Sequence, residues 1–363
     1  MRCVELCAGL TLATLAACGG AGYGGSTSAP ADADSRYAAT LLVSDQAGSG
    51  QQDAQLSNPW GLAVGGGSAL WLTSQGTARS RLLNAADLSL PVLDVAVPPQ
   101  SDASARPTGA AFNPGNGFEV SAEGRGGVAR FIVASEGGTL SGWSPALGLD
   151  HALVAFDGSA AGAVYTGLAM TPQGVDSVLL AADFRNGVVD RFGADFTRLP
   201  AEGRFADAAL PAGYAPFAIA ASGERVYVAY AKPDATAHLP QAGAGLGLVD
   251  VFDFGGRLLQ RLVPAGGALN APWGLAVAPA GFGAFSGALL VANGGDGTIA
   301  AFDRASGRLL GTLTQGGGAV LAIDGLHAIA FGSGAAGLPA TTLFFTAGPQ
   351  GGRHGVLGRI DLQ

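Results

Sequence analysis

The chain has 363 residues, a formal net charge of −8, and 48% hydrophobic against 13% charged residues. That balance is enough to build a packed core and excludes a chain that is disordered throughout, while 60 glycines without a three-residue period exclude a collagen-like fibre. Lys232 is the only lysine and the arginines are scattered, so no basic stripe exists to hold phosphates and no nucleic-acid partner is expected.

Taken in chain order, residues 1–18 read as an export signal. Arg2 gives a thin positive start, and Leu10 to Ala17 is an apolar run too short to span a bilayer. Leu15-Ala16-Ala17-Cys18-Gly19 resembles the bacterial lipobox, with Cys18 as the acylated residue; an ordinary cleaved signal peptide is the alternative, because Glu5 and a single arginine make a poor n-region. Cys3, Cys7 and Cys18 are the only cysteines, so a chain cleaved before Cys18 keeps no pair for a disulfide, no thiol nucleophile and no thiolate metal site. Residues 19–37 are Gly/Ser/Ala/Pro-rich and read as a flexible tether. No later apolar run is long enough to span. Membrane contact is therefore expected only through the lipid anchor, in the periplasm or outer membrane, with a secreted protein as the alternative.

Residues 38–363 carry a repeat. A short apolar strand opens on a Pro- or Gly-containing turn six times, as in Pro59-Trp60-Gly61-Leu62-Ala63-Val64, Pro107-Thr108-Gly109-Ala110-Ala111-Phe112 and Pro272-Trp273-Gly274-Leu275-Ala276-Val277. Anchored on positions 61, 109, 167, 218, 274 and 327, the gaps are 48, 58, 51, 56 and 53 residues. Each copy continues with a second apolar strand, such as Val226-Tyr227-Val228-Ala229-Tyr230. Tight-turn signals such as Asn186-Gly187 and Asp296-Gly297 lead into an alternating third strand, and a more polar fourth strand closes most units. Short strands at a period of about 50 residues predict an all-β, six-bladed β-propeller of four-stranded antiparallel blades. A pair of β-sandwiches explains the alternation but not six near-equal periods. The last unit runs out of chain after its third strand near Ile360, and Ala39 to Ser44 has no partner beside the first unit. The N-terminal run is therefore expected to close the ring as the outer strand of blade six.

These strings resemble NHL-type propeller repeats. Asn58-Pro59-Trp60-Gly61-Leu62-Ala63, the stretch from Ser135 to Trp143, Ala182-Asp183-Phe184-Arg185-Asn186-Gly187 and Phe345-Thr346-Ala347-Gly348-Pro349 resemble, more specifically, a family of exported bacterial proteins of unknown function. The resemblance covers most of residues 39–362 and implies a shape related to the senescence-marker/gluconolactonase group. It implies no established activity. The chain departs from that pattern at Gly137, Arg185, His327 and the stretch from Gln350 to His354, which weakens any metal or catalytic role resting there.

In such a ring the turn entering the first strand and the turn between strands two and three emerge on one face. That face is expected to gather Asn58, Trp60, Glu136, Asp183, Asn186, Tyr214, Asn270, Trp273, Asn293, Asp296 and His354 around the central channel. Three chemistries compete there. Glu136, Asp183, Asn186, Asn293 and Asp296 could give oxygen ligands to a divalent cation, although Asn and Asp before Gly equally well close their own turns. His354 or His327 could act as a general base, but no histidine has a carboxylate at a telling spacing in the sequence. Trp60 and Trp273 could bind an apolar or sugar-like ligand or a peptide, although Trp in an inner strand also packs between blades. Asp45 and Asp53 read as solvated residues of the link to blade one, while Tyr214 and Lys232 frame blade four.

The leading expectation is a monomeric exported propeller that binds a small ligand or an envelope protein through its loop face and needs no cofactor. The alternative is a metal-dependent hydrolase of the gluconolactonase type.

Overall fold

The computed structural model describes residues 35–48, 50–85, 89–98, 105–171 and 177–363. Cys18, the export signal and tether residues 19–34 lie outside the described residues.

Six antiparallel sheets follow one another around a ring, and their inner strands are Pro59–Val64, Pro107–Phe112, Tyr165–Met170, Ala215–Ser222, Pro272–Val277 and Leu326–Phe331. These are the six repeated segments. Blades one, two, four and five carry four strands each. Blade three has three, with only a Phe192–Arg198 bridge where a fourth would pair. Blade two adds a hairpin, Glu119–Ala122 with Arg125–Val128.

The second strand of each blade is the most deeply covered; Leu179–Asp183, Leu289–Asn293 and Leu343–Ala347 are buried at every residue. That is why those strands read as unbroken apolar runs: both faces lie against neighbouring sheets. Six large apolar clusters fill the six junctions. Trp71 and Phe131 pack between blades one and two, Ile132 and Leu179 between two and three, and Leu180 and Val228 between three and four. Val249 and Val291 pack between four and five, Ile299 and Phe345 between five and six, and Leu357 and Leu72 between six and one. A cluster at every junction, including the last to the first, is a closed ring.

The ring is latched where the sequence places the latch. Tyr37–Ser44 pairs antiparallel with Val356–Leu362, from Tyr37 opposite Leu362 to Ser44 opposite Val356. The tether expected to reach residue 37 stops earlier. Tyr37 is fully buried and donates to the Phe282 carbonyl at 3.0 Å. Ser35 Oγ accepts the Ala284 amide at 2.8 Å. A single buried ring outweighs the polar composition around it.

The recurring glycine of the inner strands has a packing cause. A Cβ built on Gly167 would lie 2.8 Å from the Phe217 carbonyl oxygen, and one on Gly274 would lie 2.6 Å from that of His327. Inner strands of adjacent blades thus approach backbone to backbone around the channel. Threonine hydroxyls bridge the same gap: Thr108 Oγ1 donates to Tyr165 O at 2.7 Å, Thr166 Oγ1 to Phe217 O at 2.7 Å, and Thr346 Oγ1 to Trp60 O at 3.2 Å.

Candidate functional site

The channel has two unlike ends. At the end where the inner strands begin, aromatic rings fill it. Trp60 and Trp273 meet edge to face at 4.7 Å, Trp273 stacks on His327 at 4.2 Å, and Phe217 stands against Trp273 at 4.7 Å. Next to these rings the channel holds a cavity of about 390 Å³, lined by glycine, alanine and apolar residues of the inner strands together with Trp60 and Trp273. The two tryptophans therefore pack between blades as a plug and also form part of the wall of that cavity, and the indole Nε1 of Trp60 is buried without a partner. His327 is part of the same plug. Its Nδ1 lies 2.8 Å from the Pro59 carbonyl, and burial pushes its pKa down to about 4, so it is neutral at neutral pH.

The polar residues of the rim divide by blade. In blade three, Asp183 is buried and accepts from the Val164 amide, the Asn186 amide and Asn186 Nδ2. Burial outweighs those bonds and pushes its carboxyl above the usual range. In blade five, Asn293 Oδ1 accepts the Asn270 amide, and Asn270 Nδ2 donates to Asp296 Oδ2 at 2.9 Å. Asp296 Oδ1 also takes the Thr298 amide and hydroxyl. Each set closes its own turn. The five residues expected to converge on a cation are divided among blades two, three and five, and among the described residues no three His, Cys, Asp or Glu side chains come close enough to hold one.

Tyr214 keeps to blade four, with its hydroxyl 3.4 Å from the Gly245 carbonyl and Lys232 Nζ 5.3 Å from its ring centre. His354 pairs with Asp45 Oδ2 at 2.8 Å. Burial raises the Asp45 pKa, but bonds from the Gly355 amide, His354 and Gln46 outweigh it and hold the carboxyl below the usual range. Asp45 is thus a clamp on the latch and not a solvated residue. Asp53 is a second correction, since it holds the buried Arg81 guanidinium at 2.7 Å.

One set of side chains does converge from four blades. Asn58 at the entry to blade one donates from Nδ2 to Gln75 Oε1 at 3.0 Å, and its own Oδ1 is buried without a partner. Gln75 Nε2 donates to Glu136 Oε1 of blade two at 2.8 Å. Glu136 Oε2 takes His238 Nδ1 of blade four at 2.9 Å and Arg106 at 3.1 Å. His238 Nε2 faces Arg185 of blade three at 2.5 Å. A guanidinium only donates, so Nε2 accepts and Nδ1 carries the proton. The Glu136 side chain is 1% exposed, His238 25% and Arg106 49%, so a buried carboxylate organises a solvent-facing imidazole and guanidinium. Asn58 and Glu136 are expected on the channel face, Glu136 as an oxygen ligand to a cation; Gln75, Arg106 and His238 are not among the expected residues, and Arg185 enters the sequence reading only as a departure. His238 sits on the long connection between strands Arg225–Ala231 and Leu248–Asp253, whose length was the one available signal.

Fold and rim define a six-bladed β-propeller with a plugged channel and a polar cluster over four blades. The chain is 31% identical over 287 residues to uncharacterized protein L690 of Acanthamoeba polyphaga mimivirus, covering 77% of this chain and 74% of that protein. It is likewise 31% identical over 327 residues to uncharacterized protein R648 of the same virus, covering 85% and 76%. The chain belongs to the family these two proteins represent. No protein-family model matches it. Among solved structures, a Bacteroides thetaiotaomicron protein of unknown function aligns with TM-score 0.57 at 12% identity, over 91% of this chain and 77% of that one. A streptogramin B lyase aligns with TM-score 0.54 at 10% identity, over 90% and 98%. A catalytically inactive virginiamycin B lyase from Staphylococcus aureus, solved with quinupristin, aligns with TM-score 0.52 at 10% identity, over 90% and 100%. At these identities the likeness is one of fold. The viral relatives give no support to an exported bacterial family.

Proposed function

We propose that the protein is a ligand-binding propeller whose site is the rim over blades one to four, with Arg106, Arg185 and His238 as the contacts and Glu136 as the residue that positions them. The observation that carries this reading is the occupied acceptor on His238. Its Nδ1–H is committed to buried Glu136, so Nε2 presents a lone pair that, among the described residues, only the exposed Arg185 satisfies. A ligand with an anionic oxygen for the guanidiniums and a hydroxyl or amide for Nε2 replaces that contact with better ones. Sugar acids and acidic peptides have this chemistry. Thermal-shift titration of the full chain with a panel of both should give a saturable rise in melting temperature that Arg185→Ala and His238→Ala abolish. A panel without any saturable member sinks the reading.

A second reading has one observation in its favour. An imidazole backed by a buried carboxylate is the arrangement of a general base, and displacement of Arg185 by substrate would free Nε2 for that role. Ring opening of lactones by the wild type, lost in His238→Ala, would establish it.

The proposal places the protein in the cell envelope with Cys18 as the lipid-bearing residue, on the strength of Leu15-Ala16-Ala17-Cys18-Gly19. Mass spectrometry of the mature N-terminus tests that placement.

A further inference from the structure

Blade three ends one strand short, and the space is not refilled. After the Phe192–Arg198 bridge, the link over residues 193–214 passes through left-handed backbone at Phe196, Glu202, Gly203 and Phe205. Between this link, the outer strand Val188–Phe192 and blade four lies a cleft of about 590 Å³. That size suits a small organic ligand. Arg191, Arg198 and Arg204 line it, and Phe205, Leu210 and Tyr230 give it an apolar wall.

Most of the charge around the cleft is matched. Arg198 lies 3.5 Å from Asp190, which also accepts the Tyr165 hydroxyl at 2.7 Å. Arg261 is shared by Asp207 and the buried Asp250. Arg204 faces Glu202 at 3.6 Å and donates to the Gly255 carbonyl at 2.6 Å. Arg191 differs. It donates to the Pro200 carbonyl at 3.2 Å, its Nε is buried without a partner, and among the described residues no carboxylate forms an ion pair with it. Burial, and then the charge of Arg204, pull its pKa down against the opposing charge of Glu202, although an arginine so placed still carries its proton. A half-buried guanidinium with no directly paired carboxylate is costly, and an oxyanion bound there relieves the cost.

We infer that this cleft binds a small organic anion, with its carboxylate or phosphate on Arg191 and its apolar body against Phe205 and Tyr230. The site is separate from the rim, and neither reading depends on the other.

Isothermal titration calorimetry on the full chain with phenylacetate, hexanoate and inorganic phosphate tests the inference. At least one of the two organic anions should bind saturably, and Arg191→Gln should weaken it about tenfold or more while melting cooperatively. If Arg191→Gln does not fold, Arg191→Lys, which keeps the charge but loses the planar fork, should also weaken binding. No saturable organic anion, phosphate binding alone, equal affinity in wild type and variant, or loss in Arg185→Gln instead would each overturn it.

Discussion

Glu136 and His238 are 102 residues apart in the chain and 2.9 Å apart in the fold, joined at Oε2 and Nδ1. The pair fixes the imidazole tautomer, because Arg185 leaves Nε2 no role but acceptor. Nitrogen-15 NMR at neutral pH should therefore show His238 protonated on Nδ1. A proton on Nε2 would show that the Arg185 contact is not made.

Glu136→Gln should reach further than one bond. The carboxylate receives Gln75, Arg106 and His238, and an amide cannot accept from all three. We expect a loss of about 1–3 kcal/mol in urea denaturation. An unchanged midpoint would mean the cluster is solvent-supported.

Latch strength concentrates in one ring. Tyr37 packs on Phe282 and Phe285 at centroid distances of 4.9 and 6.0 Å and is fully buried. Tyr37→Ala should cost about 3–5 kcal/mol, whereas Tyr37→Phe, which loses only the bond to the Phe282 carbonyl, should cost about 1 kcal/mol. Equal effects from the two variants would contradict the packing account. Deleting residues 38–45 should lower the melting temperature of the whole protein, since the latch strand is one of the faces that close the ring.

Inner-strand glycines should be intolerant of even a methyl group. Gly274→Ala puts a Cβ into the His327 carbonyl and must force blades five and six apart, at a cost of about 1–3 kcal/mol. The same change at Gly66, where the nearest atom to an added Cβ is 3.7 Å away, should be nearly neutral. Comparable losses at the two positions in chemical denaturation would refute the close-approach explanation.

His327 gives stability an acid limb. Its pKa is about 4 in the fold against an ordinary 6.5, so the unfolded chain binds a proton that the native chain refuses. Stability contributed by this residue is intact above pH 6.5 and falls as the pH drops towards 4, by about 3 kcal/mol over the window. His327→Phe should flatten that part of the stability profile relative to wild type. Parallel profiles from pH 7 to pH 4 would show that His327 is not held neutral.

Much of this molecule was legible from residue order. The six inner strands, the tight turns and the closing role of the segment before blade one depend on local periodicity, turn chemistry and the count of strands, all of which a sequence displays. Asn186 and Asp296 are turn-formers in the fold, as their Asn-Gly and Asp-Gly setting suggests. The boundary at Tyr37 was misplaced because its partners, Phe282 and Phe285, lie in blade five, far along the chain. The pairing of His354 with Asp45 and of His238 with Glu136 was illegible for the same reason: each joins residues far apart in the chain that only the assembled ring brings into contact. The cleft beside blade three required a strand that failed to form. A repeat dictates which elements exist, because hydrophobic period and turn residues act over a few positions. Which polar groups meet, and which are left without a partner, depends on how six sheets seat against one another, and that is a property of the assembled ring.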